Sequence, residues 1–234
     1  MNLLAIDTAT EACSAAVYRD GKTFARLEVV GRDHTQRLLD VIAEVMTEAR
    51  LGYAELNGIA CGNGPGSFAG VRIAVAFTKG LALAHELPVV AVSSLAMLAQ
   101  AAIREHQAAA VLAAIDARMG EVYWGCYRNQ QGLAVALQPD AVAAPQAVSS
   151  GALAGQVWYG TGTGWGAHAA ALSAAAGEPR HCLPGALPAA LDALALSRPI
   201  FESGGAMAAD TLNPLYLRNQ VALTLLEQAA LKSL

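Results

Sequence analysis

The chain has 234 residues, of which 55% are hydrophobic, 15% are charged and 52 are alanine, and its formal net charge is −4. A disordered chain needs low hydrophobicity and high charge, so this composition predicts a folded protein with a buried core. The most apolar stretch, Val71 to Leu83, contains Arg72 and Lys79 and is shorter than the ~18 uncharged residues that a membrane-spanning helix requires. The N-terminus has no basic segment and reaches Asp7 at once, which argues against a secretory signal. We therefore expect a cytoplasmic protein with no membrane contact.

The cysteines, histidines and basic residues are too dispersed to predict a metal centre or a nucleic-acid surface. The four cysteines form no Cys-x-x-Cys pair, and no two of the five histidines lie three to five residues apart. Lysines and arginines are never adjacent, whereas a nucleic-acid-binding protein concentrates positive charge on one face. We expect buried reduced thiols, no metal, no cofactor and no direct hold on RNA.

The first residues predict three strands. Leu3 to Ile6 and Cys13 to Tyr18 are short apolar runs that suit buried strands. Asp20-Gly21 is typical of a hairpin turn, because glycine tolerates the positive φ that such turns need. Thr23 to Val30 then predicts a third strand, paired with the second.

Two helices follow, separated by a strand at Gly58 to Cys61. The first begins after Asp33, which is expected to cap it with Gln36 in the capping-box position. The second is predicted over Phe68 to Glu86, directly after the glycine-rich segment Gly62 to Gly70. Its apolar residues lie all round the helix, which predicts that one side is covered by the core and another by a partner protein. A further strand over residues 89–92 and a helix capped by Ser93 or Ser94 complete this part of the chain.

The chain contains a weak internal repeat at an offset of 109 residues. Ala5-Ile6-Asp7 matches Ala114-Ile115-Asp116, and Tyr18-Arg19 then falls on Tyr127-Arg128 without a gap. Two unrelated hairpins would be the simpler explanation. A duplicated α/β unit is the sharper one, and it predicts two lobes that meet near residue 105, with one Asp-bearing turn from each at a central cleft.

Several residues could line a nucleotide or phosphate cleft between such lobes. Aspartate after a strand can orient water or magnesium, and glycine-rich turns allow the backbone close to an anion. Each also has a structural interpretation: an Asx turn at Asp7, a helix-entry turn at the glycines, and an ion pair between Asp116 and Arg118. Glu121 could form an acid–base pair with Asp116, although the spacing does not demand it. The candidate cleft residues are Asp7, Thr8, Gly64, Gly66, Ser67, Asp116, Arg118 and Gly162.

Taken together, five segments resemble the bacterial TsaB (YeaZ) family. They are AIDTATEACSAAVY, RDHTQRLL, the long stretch GNGPGSFAGVRIAVAFTKGLALAHELPVVAVSSL, AAIDARMGEVYWGCY and LNPLYLRN. The resemblance covers the first ~130 residues closely, and each motif is unspecific by itself while the combination is highly specific. It implies a two-lobed actin-like, ribonuclease H-like α/β fold with a duplicated ββ(β)αβα unit. The lobes would be residues 1–105, with the partner-binding helices, and the alanine-rich residues 106–234, closed by a C-terminal segment that packs back on the first lobe.

The resemblance implies a role in making threonylcarbamoyl-adenosine beside the anticodon of tRNA. The family's catalytic partner TsaD carries a His-x-x-x-His metal pair, and the matching positions here are Ser94 and Leu98, which cannot bind a metal together. The chain is therefore expected to be a non-catalytic scaffold that binds TsaD directly, joins TsaE in a larger complex, reaches tRNA only through TsaD, and forms a homodimer when alone.

The same resemblance assigns the contact with TsaD to the helices Thr35 to Ala49 and Phe68 to Leu83. The interface residues expected there are Leu38, Leu39, Ile42, Val45, Met46, Arg72, Val75, Lys79 and Leu83. Two alternatives stay open: an ATP-dependent phosphotransferase of the sugar-kinase-like fold that uses the cleft, and, with less support, a peptidase.

Overall fold

The computed structural model describes residues 1–31 and 33–218. The first half of the chain forms a unit of five strands and three helices. Its elements are β1 (Leu3–Asp7), β2 (Ala12–Arg19), β3 (Lys22–Val29), α1 (His34–Glu48), β4 (Gly58–Gly64), α2 (Phe68–Ala84), β5 (Val89–Ser93) and α3 (Ser94–His106). The three strands, the hairpin and both helices predicted from the sequence lie within one to three residues of their expected bounds.

In its described residues, the second half forms a unit of six strands and two helices. Its elements are β6 (Ala110–Arg118), β7 (Glu121–Gln130), β8 (Leu133–Ala136), β9 (Ala141–Ala143), β10 (Trp158–Thr161), α4 (Thr163–Ala176), β11 (His181–Leu183) and α5 (Ala190–Glu202). A segment without regular structure continues to Arg218, and residues 219–234 of the expected second lobe lie outside the described residues.

The two sheets repeat one topology. The first has the order β3-β2-β1-β4-β5 and the second the order β8-β7-β6-β10-β11, with β9 added beside β7. In both, the first three strands are antiparallel, and the fourth and fifth run parallel to the first. The duplication and the two-lobed α/β fold are therefore confirmed, with β1 matching β6 and β4 matching β10.

The duplication is incomplete at one element. The first unit places α1 between its third and fourth strands, whereas the corresponding stretch of the second unit holds β9 and two short 3-10 turns, Pro145–Ala147 and Gly151–Leu153. Among the described residues, only the first unit therefore presents two helices on the same side of its sheet.

The last helix of each unit packs on the other unit's sheet. Helices α1 and α2 cover one face of the first sheet, and α5 covers its other face through Ala190, Ala193 and Leu194. Helix α3 instead packs through Leu98 and Ile103 against β6 and β7. A bidentate ion pair from Arg104 to the fully buried Asp192 joins these two helices, at 2.9 and 3.1 Å.

The lobe boundary near residue 105 remains a prediction, since α3 packs on the second sheet and α5 packs on the first sheet.

The helix caps follow the sequence at one site and differ at another. Ser93 caps α3, because its hydroxyl accepts hydrogen bonds from the N–H groups of Leu95 and Ala96. Asp33 precedes α1, but its side chain makes no capping hydrogen bond, so the predicted capping box is wrong. At the C-terminal end of α1, the Arg19 guanidinium donates hydrogen bonds to the carbonyls of Ala49 and Arg50.

All three tryptophans lie in the second unit. The rings of Trp158 and Trp165 are 5.8 Å apart, and the Trp165 indole N–H donates to the Leu112 carbonyl at 3.1 Å. Trp124 belongs to the same apolar cluster between the second sheet and α4. These rings are the largest side chains of the core between the second sheet and α4.

Candidate functional site

A cleft of about 510 Å³ lies where the two units face each other. Its walls come from four segments: residues 9–11, the entry to α2 at residues 66–68, the turn between β6 and β7 at residues 115–119, and the C-terminal residues 215–218. His34, at the start of α1, and Thr163, at the start of α4, add polar groups. The volume falls in the range of small-molecule sites. We call this space the interlobe cleft.

Asp7 and Thr8 of the first Asp-bearing turn do not line the interlobe cleft, although residues 9–11, which follow them, do. Asp7 and Thr8 are fully buried. The Thr8 hydroxyl donates to the Gly70 carbonyl at 2.7 Å, and the Ser67 N–H donates to the Ala9 carbonyl at 2.6 Å. One N–H of the glycine-rich entry to α2, that of Ser67, is thus taken by the chain's own turn, whereas a phosphate site needs free N–H groups.

Two glycines bring these turns into direct contact. A Cβ built on Gly66 would overlap the carbonyl of Ala9, and one built on Gly70 would overlap the carbonyl of Thr8. Gly66 and Gly70 thus allow a close backbone contact that leaves no space for a phosphate between the two turns. Of the cleft residues predicted in these segments, Asp7, Thr8 and Gly64 do not line the interlobe cleft, whereas Gly66 and Ser67 do.

Burial gives Asp7 unusual electrostatics. Its Oδ2 accepts a weak hydrogen bond from the Ala9 N–H at 3.3 Å, the Asx turn considered from the sequence, while Oδ1 has no partner among the described residues. Removal from water raises the pKa of Asp7 from 3.8 to about 7, and the Ala9 N–H offsets only part of this rise. The carboxyl is held protonated over much of the acidic range, which suits a structural role better than binding a cation.

The second Asp-bearing turn does line the interlobe cleft. Asp116 accepts from the Arg118 backbone N–H at 2.9 Å and from its guanidinium at 3.0 Å, so the structural ion pair is confirmed. His168 lies 3.6 Å from the same carboxylate, and the Asp116 N–H donates to the Thr163 hydroxyl at 3.2 Å. Gly162 has a φ of +99° and packs against the carbonyl of Ala114, away from the cleft walls.

Glu121 does not form the acid–base pair with Asp116. It binds Arg218, whose Nη2 donates to the Glu121 carboxylate at 2.6 Å and to the Ala117 carbonyl at 3.1 Å. Sequence reasoning missed Arg218 and its neighbour Tyr216 as cleft residues. The segment LNPLYLRN contributed only to the family resemblance, and nothing in its composition indicates where it packs.

Most of the expected interface residues lie inside the protein. Leu38, Ile42, Val45, Met46 and Val75 are 0–5% exposed and belong to the core between the first sheet and its two helices, so their assignment to a surface is wrong. Leu39 and Leu83 are 53% and 62% exposed, and Arg72 and Lys79 are half-buried, so these four can meet a partner.

Uncharged residues are also accessible on both helices. On α2, Ala76, Gly80 and Leu83 are exposed and Ile73 is half-buried, and on α1 Leu39 and Ala43 are exposed. Their spacing at three and four residues keeps them in line along each helix. We call the set Leu39, Ala43, Ile73, Ala76, Gly80 and Leu83 the helix-pair face.

The positions expected to replace a metal pair are part of the core. Ser94 and Leu98 are fully buried in α3. Over residues 1–31 and 33–218, the structure holds no group of three or more His, Cys, Asp or Glu side chains placed to bind a metal ion. In the same ranges, no helix has the length and hydropathy needed to cross a membrane.

Two copies of one α/β unit that face a common cleft define the class: a two-lobed protein of the actin-like fold. The sequence model of the family described as TsaD, tRNA N6-adenosine threonylcarbamoyltransferase, matches residues 28–161. The chain is 44% identical over 225 residues to the tRNA threonylcarbamoyladenosine biosynthesis protein TsaB of Escherichia coli (strain K12), covering 95% of this chain and 96% of that protein. It is 37% identical to TsaB of Haemophilus influenzae over 94% of this chain and 95% of the relative. The chain therefore belongs to the TsaB family.

Solved structures agree with this assignment. The protein described as YeaZ from Pseudomonas aeruginosa superposes with a TM-score of 0.87 at 43% identity, covering 92% of this chain and 99% of that one. A second structure, described as an uncharacterized protein with similarity to peptidase YeaZ from Pseudomonas aeruginosa, gives a TM-score of 0.88 at 44% identity, over 93% and 99% of the two chains.

Proposed function

We propose that this chain is a non-catalytic subunit in the biosynthesis of threonylcarbamoyladenosine on tRNA. It acts by binding and stabilising the transferase TsaD, with TsaE in the larger complex, and it reaches tRNA only through TsaD. The names of its relatives support the pathway. The observation that carries the mode of action is the helix-pair face, a strip of accessible uncharged residues on two helices that cover one side of the first sheet, with Arg72 and Lys79 half-buried beside it on α2.

The composition of this strip suits a helix-on-helix contact. Ala43, Ala76 and Gly80 are small, and a Cβ on Gly80 would meet nothing within 4 Å, so a partner backbone can approach closely. Leu39 and Leu83 supply large apolar side chains at either side. Burial of each such leucine contributes about 1.5–3 kcal/mol to association. The same surface would serve a homodimer in the absence of TsaD.

The closed first turn supports a binding role over catalysis. An ATP-dependent phosphotransferase would place phosphates against the glycine-rich entry to α2, which is bonded to Thr8 and Ala9 instead. Isothermal titration calorimetry of the isolated chain with Mg-ATP distinguishes the two functions. Tight stoichiometric binding would favour the phosphotransferase, and we expect no such binding.

A charge placed on the helix-pair face tests the proposal directly. Ala76→Glu puts a carboxylate in the centre of the strip without touching the core, so we expect at least a tenfold loss of affinity for TsaD of the same organism, measured by calorimetry, and a matching loss of tRNA modification in a reconstituted reaction. Burial of an unpaired charge in an interface causes this loss.

The matched control is Ala174→Glu on the exposed side of α4, far along the chain from the strip. It adds the same charge to a helical alanine and should leave affinity unchanged. Equal melting temperatures of the two variants would show that both fold. Wild-type affinity of the Ala76→Glu variant would contradict the proposed interface.

A further inference from the structure

The last described residues cross from one unit to the other. Leu212 is fully buried in the core of the first unit. Next to it, the Asn63 side chain donates to the Asn213 carbonyl at 3.1 Å, and the Leu215 N–H donates to the Asn63 carbonyl at 2.8 Å. These bonds fix the segment at the end of β4, where α2 begins. We call residues 213–218 the strap.

The strap ends on the second unit. Arg218 donates to the Glu121 carboxylate at 2.6 Å and to the carbonyls of Ala117 and Arg118 at 3.1 and 3.5 Å. All of these acceptors lie in or beside the turn between β6 and β7 that carries Asp116. That turn has three successive residues with positive φ, from Arg118 to Gly120, and its pairing is irregular. The Arg218 guanidinium therefore adds hydrogen bonds to a turn in which the register of the β6–β7 pairing shifts between Asp116 and Arg118.

The middle of the strap contacts α2. The Arg72 guanidinium carbon lies 5.0 Å from the centre of the Tyr216 ring and 3.2 Å from that of Phe68, and the Arg72 side chain donates to the Phe68 carbonyl at 2.8 Å. Phe68 and Tyr216 are 72% and 55% exposed, so this stack lies at the mouth of the interlobe cleft. A guanidinium over an aromatic face is attracted by the electrons of the ring, so the stack ties the strap to the first turns of α2.

We propose that the strap couples binding at the helix-pair face to the opening of the interlobe cleft. Helix α2 carries the helix-pair face along one side and Arg72 on its first turns. A partner that shifts α2 moves the Arg72–Tyr216 stack, and the strap passes that displacement to the Arg218 bonds on the Asp116 turn. This regulation rests on the proposed function, because it requires a partner on α2.

Distance measurements between spin labels test the strap in the free chain. Labels on Gln36→Cys in α1 and Ala167→Cys in α4 lie at exposed sites on opposite units, and Cys182→Ser removes the one exposed native thiol of the described residues. We expect a narrow distance distribution in the otherwise native chain and a broader or shifted one when Arg218→Gln is added. Glu121→Gln removes one of the three acceptors of Arg218, so it should change the distribution in the same direction but less. The double variant should show no more than Arg218→Gln alone, since that variant already removes the bond to Glu121.

Arg128→Gln is the matched control. Among the described residues, the Arg128 side chain donates to the Gln130 side chain of its own strand, at 3.4 Å, so its loss should leave the distance distribution unchanged. If Arg218→Gln gives the same distance distribution as the control, the strap does not fix the distance between the units, and this result is independent of TsaD binding.

Calorimetry with TsaD tests the coupling. Couplings between sites are typically 5–150-fold, so Arg218→Gln should change the affinity for TsaD by about fivefold or more. An unchanged affinity, together with a broadened distance distribution, would overturn the coupling while leaving the strap as a structural tie. Failure of the unmodified chain to bind TsaD would instead overturn the proposed function, so the two failures are distinguishable.

Discussion

Asp7 shows how one buried carboxyl can make stability depend on pH. Its pKa is about 7 in the folded chain and 3.8 in the absence of burial, so between these values only the unfolded chain releases the proton. The contribution of Asp7 to the free energy of unfolding is therefore fully present below pH ~4 and is lost as the pH rises towards 7. Above pH 7, the loss in the free energy of unfolding is on the order of a few kcal/mol.

Asp7→Asn should remove this dependence, because the amide stays neutral at every pH. We expect the free energy of unfolding, measured with urea from pH 4.5 to 8, to fall less steeply with pH than that of the unmodified chain. Asp20→Asn is the control, since Asp20 is 79% exposed in its side chain. Parallel pH profiles for the unmodified chain and the Asp7→Asn variant would refute the assignment.

At the same scale, sequence reasoning identified Asp7 as unusual but misjudged what it faces. A strand-end Asp-Thr pair followed by alanine has the same local sequence whether its turn is open or covered. The covering residues, Gly66 and Gly70, come from a segment some sixty positions away, and the contact depends on their lacking a Cβ. Local pattern carries no information about such a contact.

Helix α2 contains two glycines in opposite situations. Gly70 lies against the Thr8 carbonyl, whereas Gly80 lies on the exposed side with open space around it. Gly70→Ala should destabilise the chain by about 2 kcal/mol or more through overpacking. Gly80→Ala should stabilise it by about 0.5–1 kcal/mol, because alanine is the better helix former.

The two variants control for each other, since both make the same substitution in one helix. Thermal unfolding followed by circular dichroism gives the measurement. Equal shifts of the same sign would show that the close contact between the glycine-rich entry and the first turn is not as described.

The elements themselves were largely predictable from the sequence, but the roles of their faces were not. The stripe of Leu38, Ile42 and Val45 correctly predicted a helix, yet it faces the core, as most apolar stripes do. Half of the helix-pair face is alanine and glycine, which give no strong periodic signal in a chain so rich in alanine. Its position became visible only from the exposure of Ala76 and Gly80.

On the scale of the whole molecule, the exchange of α3 and α5 makes each unit depend on the other. Without α5, the first sheet would expose Leu3, Ala5 and Val90, and without the second sheet α3 would expose Leu98 and Ile103. Residues 1–106 expressed alone should therefore lack a cooperative unfolding transition by circular dichroism. Co-expression with residues 107–234 should restore it. A sharp transition in the isolated fragment would mean that the lobes are independent domains.

The repeat of Ala5-Ile6-Asp7 at Ala114-Ile115-Asp116 predicted the doubled topology, because both copies occupy the same central strand of their sheets. No pattern in the sequence predicted that α3 packs on the second sheet and α5 on the first. Either helix could pack on either sheet with the same apolar pattern, so chain connectivity alone does not choose between them.

The tryptophan cluster has a practical consequence for spectroscopy. Trp124, Trp158 and Trp165 are all in the second unit, so intrinsic indole fluorescence reports on that unit alone, while the first unit, with both helices of the proposed interface, emits no tryptophan signal. The fluorescence of a single tryptophan introduced on α1 or α2 would therefore add to a native signal that comes entirely from the second unit. Comparing the two chains would allow the two units to be followed separately by fluorescence.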